Sequence, residues 1–135
     1  MVKTAPNTEN VFNISQPLRY FCHLHLYHSR LSRLYLRVFK DRRQTPSFYL
    51  LFTDVGYLDC PINWQGANFC TATHDACLAL MVEAGLIDEA VLTLPGAQEA
   101  LLGATRLYTA QTPHRTVRII AGGAQLLQQL PPELA

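Results

Sequence analysis

The chain has 135 residues, a length typical of one domain built around a single hydrophobic core. Apolar residues make up 49% of it and charged residues only 16%, a balance that excludes an intrinsically disordered chain. The formal net charge of +1 excludes a uniformly basic protein, although residues 1–44 alone carry a charge of +6 and residues 45–135 a charge of −5.

The first 16 residues are polar and show no periodicity, so we predict a flexible N-terminal arm over 1–16 and a single α+β domain over 17–135. This arm lacks the apolar stretch of a secretory signal, and the apolar run Phe48 to Phe52 is far shorter than the roughly 18 residues of a membrane span. Nothing indicates export, so we expect the four cysteines to be reduced and the protein to be cytoplasmic.

Two segments with period-two alternation follow the arm and predict a β-hairpin. Residues 19–28 place aliphatic side chains on one face and aromatic and histidine side chains on the other, and residues 34–40 repeat this pattern. The predicted aliphatic face contains Tyr20, Cys22, Leu24 and Leu26, and the opposite face contains Phe21, His23, His25 and Tyr27. Residues 47–53 form a continuous apolar run, which predicts a buried strand.

The clearest helix prediction covers residues 73–84. Thr73 is a suitable N-cap, apolar residues recur at three- and four-residue spacing, and Gly85 suits the left-handed position after the last turn. A second short helix is predicted over 95–102, and strands are predicted over 105–110 and 115–121. Residues 124–130 fit either a helical turn or an edge strand.

These elements together predict an α+β fold with five or six mainly antiparallel strands and one or two helices packed on one face. We expect the helix over 73–84 to cover the aliphatic face of residues 20–28 and 34–40. The predicted core consists of Leu24, Leu26, Leu36, Val38, Leu50, Phe52, Phe69, Leu80, Met81, Val117 and Ile119.

Two groups of residues have the chemistry of a metal or thiol site. His23 and His25 are two apart on a strand, so both rings leave one face, but no third ligand is identifiable. Cys60, Cys70, His74 and Cys77 include the donors of a zinc shell, and His74 is placed to act as a base for a thiol nucleophile. Their spacing matches no strong zinc motif, and no orienting third group is evident, so we predict no bound metal or cofactor.

A contact surface is the interpretation that we favour. The loop around the only tryptophan supplies a large ring beside adaptable amides, and the histidine-aromatic strand face adds further rings. The residues predicted to bind are Asn63, Trp64, Gln65 and Asn68 in the loop and His23, His25 and Tyr27 on the strand. The alternative for Trp64 is that its ring fills one end of the core.

The basic segment 30–43 is the last candidate, because cations interleaved with Tyr35 and Phe39 suit phosphate contact and base stacking. We prefer the interpretation in which the oppositely charged halves of the chain neutralise each other across the fold. The favoured function is therefore a non-catalytic module that binds a protein partner or a second copy of itself. A metal- or thiol-dependent enzyme and a nucleic-acid-binding protein are the alternatives.

Overall fold

A computed structural model describes residues 9–134 of the chain. The described residues form an α+β fold, as predicted, with nine strands in two antiparallel sheets. The strands are β1 (Tyr20–His28), β2 (Arg33–Lys40), β3 (Phe48–Thr53), β4 (Tyr57–Asp59), β5 (Asn63–Gln65), β6 (Cys70–Thr71), β7 (Arg106–Gln111), β8 (Thr116–Ala121) and β9 (Gly123–Leu127). The helices are α1 (His74–Glu83) and α2 (Ala97–Ala104), and short 3-10 turns cover Pro17–Arg19, Glu89–Thr93 and Pro132–Leu134.

The larger sheet has the strand order β5-β1-β2-β3-β9, and the smaller has the order β4-β8-β7-β6. Their inner faces pack against each other around a cluster of aromatic rings, in which Phe52 of the larger sheet meets Tyr108 of the smaller one at 5.4 Å between ring centroids. The residues 124–130 contain an edge strand, β9, so the second of the two alternatives for this segment is correct.

Nine of the eleven predicted core residues are buried. The two others, Leu24 and Leu26, lie in β1 and are only half-buried. Leu24 packs at the margin of the core, whereas Leu26 has been moved away from it by a β-bulge.

The bulge lies at His25, which has no partner in the β1–β2 ladder. Leu24 pairs with Leu36, but Leu26 pairs with Tyr35 and Tyr27 with Leu34, whose side chain is completely buried in the core. One extra residue on a strand reverses the facing of every side chain beyond it. The predicted alternation of residues 19–28 is therefore wrong after Leu24, and Tyr27 does not share a face with Phe21 and His23.

Helix α1 packs on the smaller sheet. Its buried side chains Cys77, Leu78, Leu80 and Met81 contact Leu107 and Ile120 on the outer face of that sheet. The prediction that this helix covers the aliphatic face of β1 and β2 is wrong, because the smaller sheet occupies that position. An amphipathic pattern identifies the buried side of a helix but not the surface that buries it.

Both predicted ends of α1 are confirmed. The Thr73 hydroxyl accepts a hydrogen bond from the Ala76 amide at 3.1 Å, and Gly85 has the left-handed φ of 75°. Helix α2 begins two residues later than predicted, at Ala97, and continues to Ala104. No helix among the described residues is long and apolar enough to cross a membrane.

The predicted arm covers residues 1–16, of which 1–8 lie outside the described residues. In the described part, the Val11 amide donates a hydrogen bond to the Phe69 carbonyl at 2.8 Å, and the Asn10 side chain donates to the Ala67 carbonyl at 2.8 Å. The Phe12 ring packs edge-on against Phe52 at 5.8 Å and against Phe69 at 5.9 Å. Residues 10–14 thus add apolar side chains to the core margin.

Candidate functional site

The predicted tryptophan loop is largely strand β5 at the edge of the larger sheet. Alternation turns the Trp64 side chain inward, where it is 5% exposed, packs against Phe69, and donates its indole N–H to the Gly66 carbonyl at 2.9 Å. The buried ring fits the interpretation in which Trp64 fills one end of the core. Asn63 and Gln65 are exposed on the outer face, and the Gln65 amide donates to the Leu18 carbonyl at 2.7 Å.

Strand β5 has an open edge with backbone groups directed away from the sheet. The Leu24 amide donates to the Ile62 carbonyl at 2.7 Å, and the Gly66 amide donates to the Tyr20 carbonyl at 2.8 Å. Since alternate residues of an antiparallel strand bond to the same neighbour, the backbone N–H and C=O of Asn63 and Gln65 point to the other side. Within residues 9–134, no strand pairs with that side of β5.

A cavity of about 420 Å³ adjoins this edge. Its walls are β5 on one side and the turn between β7 and β8 on the other, with the lining residues Pro61, Asn63, Trp64, Gln65, Thr112, Pro113, His114 and Arg115. Two large apolar side chains lie next to it in the open: Ile62 is 68% exposed and Leu18 is 67% exposed. An open strand edge beside apolar surface is the usual setting for pairing with an added strand.

A second surface lies on the outer face of the larger sheet, and we call it the aromatic–arginine patch. It consists of Phe21, His23, Arg37, Phe39, Arg42 and Arg43, which with Asp41 line a cavity of about 370 Å³. Phe21 pairs with Phe39 across β1 and β2, and His23 pairs with Arg37 in the next row. The polar turn after β2 brings the last two arginines to the rim of this face.

The carboxylate of Asp41 at this rim is already paired. The Arg19 guanidinium donates to it at 2.6 Å, and this hydrogen bond lowers the pKa of the Asp41 carboxyl below its ordinary value. The carboxylate is therefore ionised at neutral pH, with its charge balanced by an arginine that is not a member of the patch. The remaining charge of the patch is positive.

The other predicted binding residues are dispersed. His25 lies at the bulge, where its Nε2 is 3.2 Å from the Leu134 carbonyl. Tyr27 lines a different, smaller cavity with Val55 and Tyr57. Asn68 accepts a hydrogen bond from the Asn10 amide at 3.2 Å, away from the outer face. Of the seven predicted binding residues, only Asn63 and His23 directly oppose each other in the sheet while facing outward.

The metal and thiol alternatives find no assembled site. Within residues 9–134, no three His, Cys, Asp or Glu side chains are grouped so that they could hold a metal ion. Burial raises the pKa of the Cys70 and Cys77 thiols and raises that of Cys60 to about 11, with the neighbouring Asp59 charge contributing. A thiol nucleophile requires the opposite shift, because the thiolate is the reactive form.

One ionic cluster was missed in the sequence. The Asp59 carboxylate on β4 accepts hydrogen bonds from Arg118 on β8, at 2.8 and 3.1 Å, and also from Arg115. The hydrogen bonds from Arg118 are the main cause of the lowered pKa of Asp59. The cluster joins two paired strands of the smaller sheet and satisfies its carboxylate, so it has the character of a structural cross-strand pair.

These features define a two-sheet α+β protein with an open strand edge and a separate cationic, aromatic sheet face. No protein-family model matches the chain, and comparisons with curated proteins and with solved structures found no match. We therefore infer the function from the geometry of these two surfaces.

Proposed function

We propose that the protein is a non-catalytic interaction module that binds an extended segment of a protein partner along the β5 edge. The observation that carries this proposal is the direction of the backbone groups of Asn63 and Gln65, which point to the open side of the strand. An added strand forms backbone hydrogen bonds with these groups, and this mode of recognition supplies affinity without demanding a particular sequence.

Selectivity comes from the cavity beside the edge. Side chains of an added strand alternate in direction, so every second one faces the space between β5 and the turn that follows β7. Pro61 and Pro113 give that space apolar walls, and Ile62 lies beside its entrance. The partner segment that fits is extended and presents apolar side chains at alternate positions.

The β5 edge of a second copy can also pair with this edge, since two β5 edges related by a two-fold axis pair antiparallel. Self-association through β5 is thus part of the same proposal. We place this binding in the cytoplasm, where a reducing environment keeps the four cysteines as thiols; among the described residues no disulfide joins them.

The test removes one backbone donor from the edge, and a matched variant controls for the loss of the Asn63 side chain. Asn63→Pro eliminates the outward backbone N–H of residue 63, and an edge strand tolerates proline at such a position. Asn63→Ala retains the N–H and serves as the matched control. Partners are captured in cells by a photo-crosslinking residue at His114, an exposed position that lines the cavity. The captured partner is then purified, and its affinity is measured for each variant by calorimetry.

We expect Asn63→Pro to weaken binding by about tenfold, the worth of one lost hydrogen bond in an interface, and Asn63→Ala to bind like the wild type. Sedimentation equilibrium measures self-association with the same pair of variants. Equal affinity of the proline and alanine variants for every partner, including a second copy, would overturn the proposal. Circular dichroism verifies that both variants fold.

A further inference from the structure

We propose that the aromatic–arginine patch binds single-stranded nucleic acid. The patch adjoins the outward side chains of β5, since His23 opposes Asn63, but it does not include the open backbone edge of that strand. The proposal does not depend on protein binding at that edge. It combines flat rings, guanidinium groups and a shallow cavity on one face of a sheet, and each of these matches one part of a nucleotide chain.

The rings are arranged to stack bases. Phe21 and Phe39 oppose each other on neighbouring strands, and both are half-buried in the wall of the cavity. Strands in a sheet are about 5 Å apart, so the two rings offer adjacent apolar surfaces to successive bases. Tyr49 opposes Arg37 from the third strand, in the row next to the phenylalanine pair, and adds a further ring to this face of the sheet. Stacking of this kind accepts any base, because every base has a π-face.

The cations are arranged to meet phosphates. Arg37 lies one row, about 7 Å, from the phenylalanine pair, and Arg42 and Arg43 lie at the rim of the same cavity. Guanidinium groups bind phosphate oxygens through paired N–H donors, a geometry that lysine does not offer. Since Arg19 balances the charge of Asp41, the three arginines of the patch keep their net attraction for an anion.

The two phenylalanine rings favour a single-stranded nucleic acid over other polyanions. An acidic peptide can pair its carboxylates with the arginines, but it has no flat ring to stack on the two phenylalanines in the wall of the cavity. A nucleic-acid duplex presents phosphates, but its bases are already stacked on one another and cannot lie on the phenylalanines. A single strand satisfies the rings and the arginines together, as single-strand binding surfaces on sheets generally do.

Fluorescence anisotropy with labelled oligo-dT and oligo-U of about 12 nucleotides tests the proposal. We expect binding at low salt, with an affinity that falls steeply between about 50 and 200 mM salt. A duplex of the same length and a polyglutamate peptide serve as competitors, and both are expected to displace the oligonucleotide weakly.

Two pairs of variants separate the roles of the rings and the charges. Phe39→Leu keeps an apolar side chain but removes the stacking surface, and we expect it to weaken binding at least about fivefold, whereas Phe39→Tyr retains the affinity. The double variant R42A/R43A is expected to reduce the salt dependence by about 1.4 in the slope of log affinity against log salt. R30A/R33A removes the same charge outside the lining of the cavity and should leave this slope unchanged.

Three results would overturn the proposal. The first is the absence of oligonucleotide binding at low salt by the folded protein. The second is binding of the duplex or the polyglutamate peptide at least as tightly as the single strand, which would mark the patch as a general anion site. The third is an equal loss in R30A/R33A and R42A/R43A, which would place the contact elsewhere on the basic segment.

Discussion

Burial controls the chemistry of individual cysteines in this protein. Cys22 is completely buried, its thiol donates a hydrogen bond to the Gly66 carbonyl at 3.6 Å, and loss of solvent raises its pKa far above the ordinary value. Cys60 is less buried, yet its pKa is raised to about 11. Both side chains therefore remain neutral thiols at physiological pH, and they pack as small apolar groups, Cys22 within the core and Cys60 at its margin.

This shift predicts how stability depends on pH at Cys60. The folded-state pKa of about 11 lies above the ordinary thiol pKa of 9.0, so the folded protein holds the proton more tightly than the unfolded chain. The stabilisation from this thiol is complete below pH 9 and is lost as the pH rises towards 11. Across this window the unfolding free energy of the wild type should fall further than that of Cys60→Ala, by at most about 2 kcal/mol because solvent screens this partly exposed thiol.

Urea unfolding at several alkaline pH values measures the difference. Cys70→Ala is the control, because its thiol is less deeply desolvated and its pKa shift is smaller. Parallel pH profiles for wild type and Cys60→Ala would contradict the expected shift.

At the scale of elements, predictions succeeded where the signal is local. The ends of α1 depend on Thr73 and Gly85, whose effects reach only a few residues along the chain, and both are where the sequence placed them. The bulge at His25 was not predictable, since a bulge is a mismatch between two strands and the partner strand is not visible in the local pattern. The open edge of β5 was not predictable either, because it depends on the order of the strands in the sheet, which the local pattern does not show.

The N-cap of α1 at Thr73 should contribute measurably to stability. Thr73→Ala removes the oxygen that accepts from the Ala76 amide, so an amide of the first turn loses its partner. We expect the free energy of unfolding to fall by about 1 kcal/mol, measured by urea titration. Thr73→Ser keeps the hydroxyl and should retain most of that stability; equal losses in the two variants would show that the hydroxyl does not cap the helix.

For the whole molecule, the period-two patterns identified most of the core residues. They did not show which element packs against which. The aliphatic faces of β1 and β2 could be recognised in the sequence, whereas the element covering them could not, because a helix and a second sheet bury an apolar face equally well. The candidate surfaces behaved similarly. The alternation of residues 34–40 puts Arg37 and Phe39 on one face, but which residues of β1 lie beside them depends on the register of the two strands.

The segment that precedes the first strand gives the prediction for the whole molecule. Phe12 packs between rings of the larger sheet and of the segment before β6, and backbone hydrogen bonds fix the neighbouring residues. Phe12→Ala removes a half-buried ring from this junction, so we expect the free energy of unfolding to fall by about 2 kcal/mol, measured by urea titration. Leu18→Ala is the matched control: its side chain is 67% exposed and its loss should change stability by less than about 0.5 kcal/mol. Equal effects of the two variants would mean that residues 10–14 lie on the sheets without stabilising them. A larger effect of Phe12→Ala, with an unchanged denaturant slope, would show that these residues unfold together with both sheets.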